Sequence, residues 1–167
     1  DTDFNTDKGT LNKVNVSYRP SGKNQNYYFT SSEGYRRGGV NAVPTEGPLA
    51  EDAGWVPFES DTVKNIELGV KGALADGTYY NLSYFMVDWD NPQLNTSTPV
   101  NGYYAVVNGD TAQINGFDVE LSGSAGAIDW NVGYSNKNAR LSSDFYTPAD
   151  TPVLYARSGA KLPGSPD

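Results

Sequence analysis

Residues 65–86 read NIELGVKGALADGTYYNLSYFM, and this stretch decides the fold class. On both sides of its centre, apolar residues alternate with polar or small ones. The apolar positions are Ile66, Leu68, Val70, Tyr80, Leu82, Tyr84 and Met86. A period of two is that of a β-strand with one apolar and one polar face. Residues 75–78, which read ADGT, supply the Asp-Gly chemistry of a tight turn. The stretch therefore predicts a β-hairpin.

The same alternation extends outward from this hairpin along most of the chain. It predicts further strands at about 13–18, 26–37, 111–122 and 128–135. Short links fall near 20–25, 75–78 and 123–126, and long ones near 38–61, 90–110 and 143–167. Weak pairing is expected around Tyr103 to Val107. We therefore predict an all-β fold, an antiparallel up-and-down meander of about six long strands. Alternating short and long links are typical of outer-membrane barrels.

Composition narrows the function classes. The 167 residues carry a net charge of −8 and contain neither Cys nor His. The commonest zinc ligands and the usual nucleophile and base of covalent hydrolases are therefore missing. A chain without a basic stripe is a poor nucleic-acid binder. Asp88 and Asp90 could serve only as a weak carboxylate pair, so we predict no enzyme, no metal site and no cofactor.

Aromatic residues cluster at or near the ends of the predicted strands. They are Tyr79, Tyr80, Tyr84, Trp89, Trp130 and Tyr134. Membrane–water interfaces favour such rings. By alternation alone, the same rings could equally fill the core of a soluble β-sandwich or jelly roll, which could bind carbohydrate or another ligand on Tyr and Trp platforms.

Several segments resemble TonB-dependent receptor barrels, and they occur in that family's order. Residues 32–39, SEGYRRGG, resemble the family's SEGFRxGG, and residues 58–72, FESDTVKNIELGVKG, resemble its PExxxNYELGxKG strand. Residues 84–90, YFMVDWD, look like FYIDWDD. Residues 108–112 with 116–121 are similar to NAGxAxxxGxExEL, and residues 162–166, LPGSP, to the LPGSP before a late strand.

The resemblance implies the C-terminal half of such a barrel, in the outer membrane of a Gram-negative bacterium. We expect residues 1–167 to be a partial barrel segment without plug domain, signal peptide or terminal strand. The implied partners are outer-membrane lipid, the rest of the barrel and its plug, and a small nutrient such as an iron–siderophore complex. TonB would be contacted only through a missing N-terminal region.

Candidate site residues follow from strand faces and long links. Glu67 and Lys71 share the polar face of one strand, as Asp118 and Glu120 do in another, and the polar interior of a barrel tolerates charge. Weak candidates for ligand binding lie in or beside the long links. They are Arg36, Arg37, Trp55, Tyr103 and Tyr104. The two arginines could meet an anionic ligand through charge-assisted hydrogen bonds.

Overall fold

The computed structural model describes residues 9–162, and six long strands form its main sheet. In chain order they are β1 (Lys13–Tyr18), β2 (Gln25–Arg36), β5 (Asp61–Ala73), β6 (Tyr79–Asp90), β9 (Thr111–Ala125) and β10 (Ile128–Leu141). The sheet order is the chain order of these six strands, and each neighbouring pair is antiparallel. The predicted all-β meander is confirmed.

The three short links are tight turns at one end of the sheet. Gly22, Gly77 and Gly126 take φ values of 72°, 86° and 65°, a region that favours glycine. The third turn is shorter than predicted. Residues 123–125 pair with residues 128–130, so only Gly126 and Ala127 make the turn. These small residues stay in the strand because the register between β9 and β10 continues through them.

Four glycines each lie opposite an aromatic residue on the neighbouring strand. The pairs are Gly69 with Tyr28, Gly72 with Tyr80, Gly116 with Phe85, and Gly123 with Trp130. A Cβ atom at any of these glycines would come within 3.0 Å of the facing ring. The rings cover glycine backbone that would otherwise weaken the sheet, and the pairs help to fix its register.

The long links form further short strands at the other end of the sheet. They are β3 (Gly39–Val40) with β4 (Pro57–Phe58), β7 (Gln93–Ser97) with β8 (Tyr104–Asn108), and β11 (Phe145–Tyr146) with β12 (Leu154–Ala156). A 3-10 turn, η1 (Ala53–Trp55), lies in the first link. The β7–β8 hairpin confirms the pairing predicted around residues 103–107. We call residues 37–60, 91–110 and 142–162 the loop layer.

The hydrophobic core lies between the loop layer and the sheet, not on the sheet's apolar face. Its buried members are Val43, Trp55, Leu94, Ala105, Val107, Ala112, Leu141, Phe145 and Leu162. The sheet's contribution comes from the row Trp89, Ala112 and Leu141, which are cross-strand partners. This row shares its face with Glu67 and Lys137, so the loop layer folds over the polar face of the sheet.

The opposite face of the sheet is apolar and bare. Its side chains include Val16, Leu68, Tyr84 and Val132, which are 57%, 55%, 52% and 58% exposed. Across residues 9–162 no second sheet packs on this face, so the sandwich alternative is not what this chain forms. The same residues contain no helix long and apolar enough to cross a membrane.

Candidate functional site

Asp61 joins the six-stranded sheet, which we call the wall, to the loop layer. Its side chain is 2% exposed and forms an ion pair with Arg36. Its carboxylate also accepts hydrogen bonds from Trp89 Nε1 at 2.9 Å and from the Gln93 backbone N–H at 3.1 Å. Arg36 in turn lies 5.1 Å from the Trp89 ring and donates to the Gln93 carbonyl. We call Arg36, Asp61, Trp89 and Gln93 the junction cluster.

The junction cluster keeps Asp61 ionised. Asp61 lies at the loop end of β5, five residues beyond the apolar stretch that begins at Ile66. Burial raises the pKa of its carboxyl, but the hydrogen bonds from Arg36, Gln93 and Trp89 outweigh burial and hold the pKa below its usual range. A charge-assisted contact of this kind is stronger than a neutral hydrogen bond. It fixes the start of β7 against the wall.

Asparagine side chains extend the β7–β8 hairpin as if they were backbone. The Asn41 amide donates to the Val106 carbonyl at 2.7 Å and accepts from the Val106 N–H at 2.8 Å. Asn108 makes the equivalent pair with the backbone of Glu59, at 2.7 Å and 3.0 Å. Each amide satisfies both the N–H and the carbonyl of one residue, Val106 in β8 for Asn41 and Glu59 in the first long link for Asn108. The first long link is thereby tied to the second.

Glu51 is a buried carboxylate, and no cation of residues 9–162 forms an ion pair with it. It is 7% exposed, and its Oε1 accepts from Thr98 Oγ1 and the Asn101 N–H at 2.7 Å each, and from Asn101 Nδ2 at 3.1 Å. Burial raises its pKa, but these donors outweigh burial and lower the pKa below the usual glutamate value. Glu51 therefore joins the first long link to the tip of the β7–β8 hairpin.

The third long link packs on the other two. The Asp52 carboxylate accepts from the Asp150 N–H at 3.2 Å, and Thr96 Oγ1 donates to Tyr155 Oη at 2.9 Å. Gly54 approaches the Pro148 carbonyl so closely that a Cβ would lie 1.8 Å from its oxygen. All three long links thus form one connected layer rather than three independent loops.

Below the loop layer, the polar face carries a cross-strand network. Tyr28 Oη donates to Glu67 Oε1 at 2.7 Å, and Lys71 Nζ lies 5.8 Å from the Tyr28 ring centroid. Asn131 Nδ2 donates to Glu120 at 3.1 Å. The prediction that Glu67, Lys71, Asp118 and Glu120 share the polar face is confirmed by the strand register.

The structure does not gather the five predicted ligand-binding residues at one point. Arg36 is held in the junction cluster, although its side chain stays 54% exposed. Arg37 is exposed, and its carbonyl accepts from Gln93 Nε2. Trp55 is 2% exposed in the core, and Tyr103 packs against that core. Tyr104 alone among the three aromatics presents its ring, at 67% exposure.

Four residues organise the loop layer, and the sequence did not predict this role for any of them. They are Asp61, Glu51, Asn41 and Asn108. Isolated Asn and acidic residues in irregular links carry no periodic signal, because their partners are far away in sequence. Asn41 and Val106 are 65 residues apart.

The described part of the chain contains no group of three or more acidic or other metal-ligating side chains able to hold a metal ion. Asp88 accepts from Gln113 Nε2 at 2.8 Å. It points to the apolar side of the sheet, just beyond the apolar residues, where a charged rim residue is expected. The arrangement is therefore a polar sheet face with a connected loop layer folded over one end of it.

Comparison with known proteins gives the family. A family model described as TonB dependent receptor-like, beta-barrel, matches residues 1–167. The chain belongs to this family. No curated protein and no solved structure matches the chain. TonB-dependent receptors are outer-membrane receptors and transporters, so the resemblance identified from the sequence is confirmed at the level of the family. The six-strand meander of residues 13–141 is consistent with a stretch of such a barrel wall.

Proposed function

We propose that this chain forms part of the wall of an outer-membrane barrel that admits a scarce nutrient, of the siderophore type or another small solute. In this proposal the apolar face meets lipid and the polar face lines the interior. The loop layer forms part of the outer vestibule, where the nutrient first binds. The partial barrel segment would be completed by the rest of the barrel and its plug.

The observation that carries the proposal is the placement of the loop layer over the polar face alone. Loops that lean toward one face of a barrel wall narrow the mouth if that face is the interior. The opposite face exposes a continuous set of apolar side chains, an arrangement that is costly in water and favourable in hydrocarbon. Both features support the same assignment of inside and outside.

The slope of the apolar band supports a membrane setting. In β1 the band centres on Val16, which is in register with Tyr84 of β6. In β10 the apolar band runs from Ile128 to Tyr134, so its midpoint is at position 131. Asn131 is in register with Tyr79 of β6. This drift of about five residues corresponds to ~16 Å along the strands over ~24 Å across them. The resulting angle of about 35° is the tilt of strands in outer-membrane barrels.

The inside–outside assignment can be tested with single cysteines, because residues 1–167 contain no cysteine. We would introduce Leu82→Cys and, next to it on the opposite face, Asn81→Cys in the full-length protein in outer membranes. A membrane-impermeant maleimide should label Asn81→Cys and not Leu82→Cys, whereas a lipid-phase maleimide should do the reverse. Equal labelling of both positions by the impermeant reagent would contradict the proposal.

The transport part of the proposal needs its own measurement. Cells that depend on the full-length protein should take up a nutrient from a panel of iron chelates, cobalamin, haem and oligosaccharides, and uptake should stop when the proton gradient is collapsed. A variant lacking residues 94–107, the body of the β7–β8 hairpin, should lose binding of that nutrient while keeping the barrel in the membrane. Unaltered uptake by that variant would argue against the loop layer as the binding surface.

A further inference from the structure

The two edges of the β7–β8 hairpin differ at their centres. Asn95 of β7 and Val106 of β8 lie opposite each other. On the β8 edge, the N–H and the carbonyl of Val106 are both bonded to the Asn41 side chain, so the first long link covers that edge. On the β7 edge, Asn95 has no equivalent partner within residues 9–162. Exposed strand edges bind other strands readily, and proteins usually cover or block them.

The alternation of the hairpin ladder determines which groups of β7 are free. Thr98 donates its N–H to the carbonyl of Tyr103, across the hairpin. Bonded and non-bonded pairs alternate along an antiparallel ladder, so the main-chain groups of Gln93, Asn95 and Ser97 point away from β8. Gln93 shows this directly, because its N–H and its carbonyl both take part in the junction cluster.

Asn95 and Ser97 therefore leave four main-chain groups free, two N–H groups and two carbonyls. No other group of residues 9–162 bonds to them, and both residues are exposed. They repeat at about 6.6 Å, the two-residue spacing of an extended strand. The sequence of β7, QLNTS, contains no charge or proline of the kind that blocks an edge. We call the free groups of these two residues the β7 edge.

Exposed aromatic rings lie on both sides of the β7 edge. Tyr104 is the cross-strand partner of Ser97, on the face of the hairpin that points away from the core. Tyr155 approaches the core-facing side, where its hydroxyl accepts from Thr96 Oγ1 at 2.9 Å. Successive side chains of an extended peptide point to opposite faces. A strand added at the β7 edge thus has one ring available to each of its faces.

We propose that the β7 edge binds a short extended peptide, which joins the hairpin as a third strand. The main chain of the peptide bonds to Asn95 and Ser97, as in other cases of strand addition. The loop layer contains seven acidic and three basic residues, and its net charge of −4 favours a peptide that carries lysine or arginine. This inference rests on the proposed function, since it takes the loop layer as the outer vestibule, and it names peptides as the class of nutrient.

Hydrogen exchange of the full-length protein in lipid vesicles tests the proposal, with a tryptic digest of casein as the probe. Most tryptic peptides are short and end in lysine or arginine. The amides of Asn95 and Ser97 should exchange rapidly without the digest. A saturating amount of the digest should slow their exchange about tenfold, the protection expected of one added hydrogen bond. A matched mixture of free amino acids is the control and should give no protection.

Two results of this experiment would overturn the proposal. If the digest left exchange at residues 95–97 unchanged, the β7 edge would not be a peptide site. If both amides were already protected without the digest, another part of the protein or a second copy would cover the edge.

A proline substitution tests the main-chain bonds directly. Asn95→Pro removes one outward N–H and leaves the bonds between β7 and β8 in place, because proline is tolerated where the N–H points away from the ladder. It should weaken binding of the casein peptide that binds best about tenfold, the effect of losing one hydrogen bond. Asn95→Ala keeps the N–H and should bind that peptide as the parent protein does.

Exchange at residues 104–108 shows whether the hairpin of Asn95→Pro is folded. Unweakened binding by a folded Asn95→Pro hairpin would contradict the proposal. If that hairpin is unfolded, the same peptide methylated on every main-chain nitrogen gives the decision, because it has no N–H to donate. The unaltered protein should not bind the methylated peptide, and equal binding of the two peptides would refute strand addition.

These outcomes are distinguishable from those of the proposed function. Loss of uptake on removal of residues 94–107, without protection by the digest, would refute the peptide site and leave the vestibule standing. Inverted maleimide labelling, with protection of Asn95 and Ser97 by the digest, would refute the inside–outside assignment and leave the peptide site standing.

Discussion

The loop layer and the apolar face of the sheet use hydrophobic residues in opposite ways. At the loop end, Trp55, Val107 and Phe145 are 4% exposed or less, packed as in a soluble domain. Along the apolar face, Tyr18, Leu68 and Tyr134 are at least half exposed. The loop layer exposes its outer side to solvent and buries a hydrophobic core between itself and the sheet. The wall leaves its apolar face bare and relies on ladder hydrogen bonds and cross-strand pairs. The same residue types therefore stabilise two regions for different reasons.

The largest effect is expected where the loop layer has its core. Trp55→Ala should destabilise the loop layer by about 3–5 kcal/mol, because it removes a large buried ring and leaves a cavity. Limited proteolysis of the membrane-embedded protein should then cut residues 91–110 and 142–162 faster, while the wall stays intact. Tyr104→Ala, which truncates an exposed ring in the same layer, is the control. The protease should cleave it at the same rate as the parent protein.

The wall should respond to charge according to face. Leu82→Arg places a guanidinium in the apolar band and should cost about 2–4 kcal/mol if that position lies near the membrane midplane. Asn81→Arg, one residue away on the polar face, should be tolerated. Denaturant unfolding in lipid vesicles measures both. Similar losses of unfolding free energy in the two variants would contradict the expectation that only the apolar face contacts lipid.

The junction cluster should connect the two regions. Asp61→Asn removes the charge that holds Arg36, Trp89 Nε1 and the Gln93 N–H, and should cost about 1–3 kcal/mol, the penalty for weakened buried hydrogen bonds. Hydrogen exchange should rise at residues 91–97 and remain unchanged at residues 66–70. Asp88 is an exposed carboxylate on the neighbouring strand, so Asp88→Asn is the control. It should leave hydrogen exchange unchanged in both segments.

The smallest expected effect is a pH response in the loop layer. The folded-state pKa of Glu51 lies below its usual value, so the contribution of Glu51 is present above the ordinary glutamate pKa of about 4.3. It is lost as the pH falls through the folded-state pKa. Acidification below about pH 4 should therefore loosen residues 98–103. Proteolysis at matched pH in Glu51→Gln should lack that response, and a response of equal size in that variant would rule Glu51 out.

The wall was largely predictable from the sequence. Alternation around Ile66 to Met86 predicted strands, their faces and the hairpin between them, because a period of two is a local property of the chain. The shared face of Glu67 and Lys71 followed from the same rule. The turn at Gly126 was placed too early, since small residues at 123–125 look like a turn while register with residues 128–130 keeps them paired.

The loop layer was not predictable in the same way. Trp55 was expected to be available for ligand, yet it is buried, and the residues that join the long links were not identified. Burial of Trp55 depends on packing against residues more than 30 positions away along the chain, such as Leu94 and Phe145, and no local pattern reports this. The predicted ligand-binding set of Arg36, Arg37, Trp55, Tyr103 and Tyr104 remains a prediction.

By itself, the sequence determined that this chain is a β-meander with one apolar and one polar face, and its ordered motifs indicated the family. Only the tertiary structure decided that the long links fold together over the polar face and that Asp61 fixes them to the wall. Strand faces follow from the geometry of each residue and its neighbours. The loop layer depends on contacts between distant segments, and these form only when the sheet brings them together.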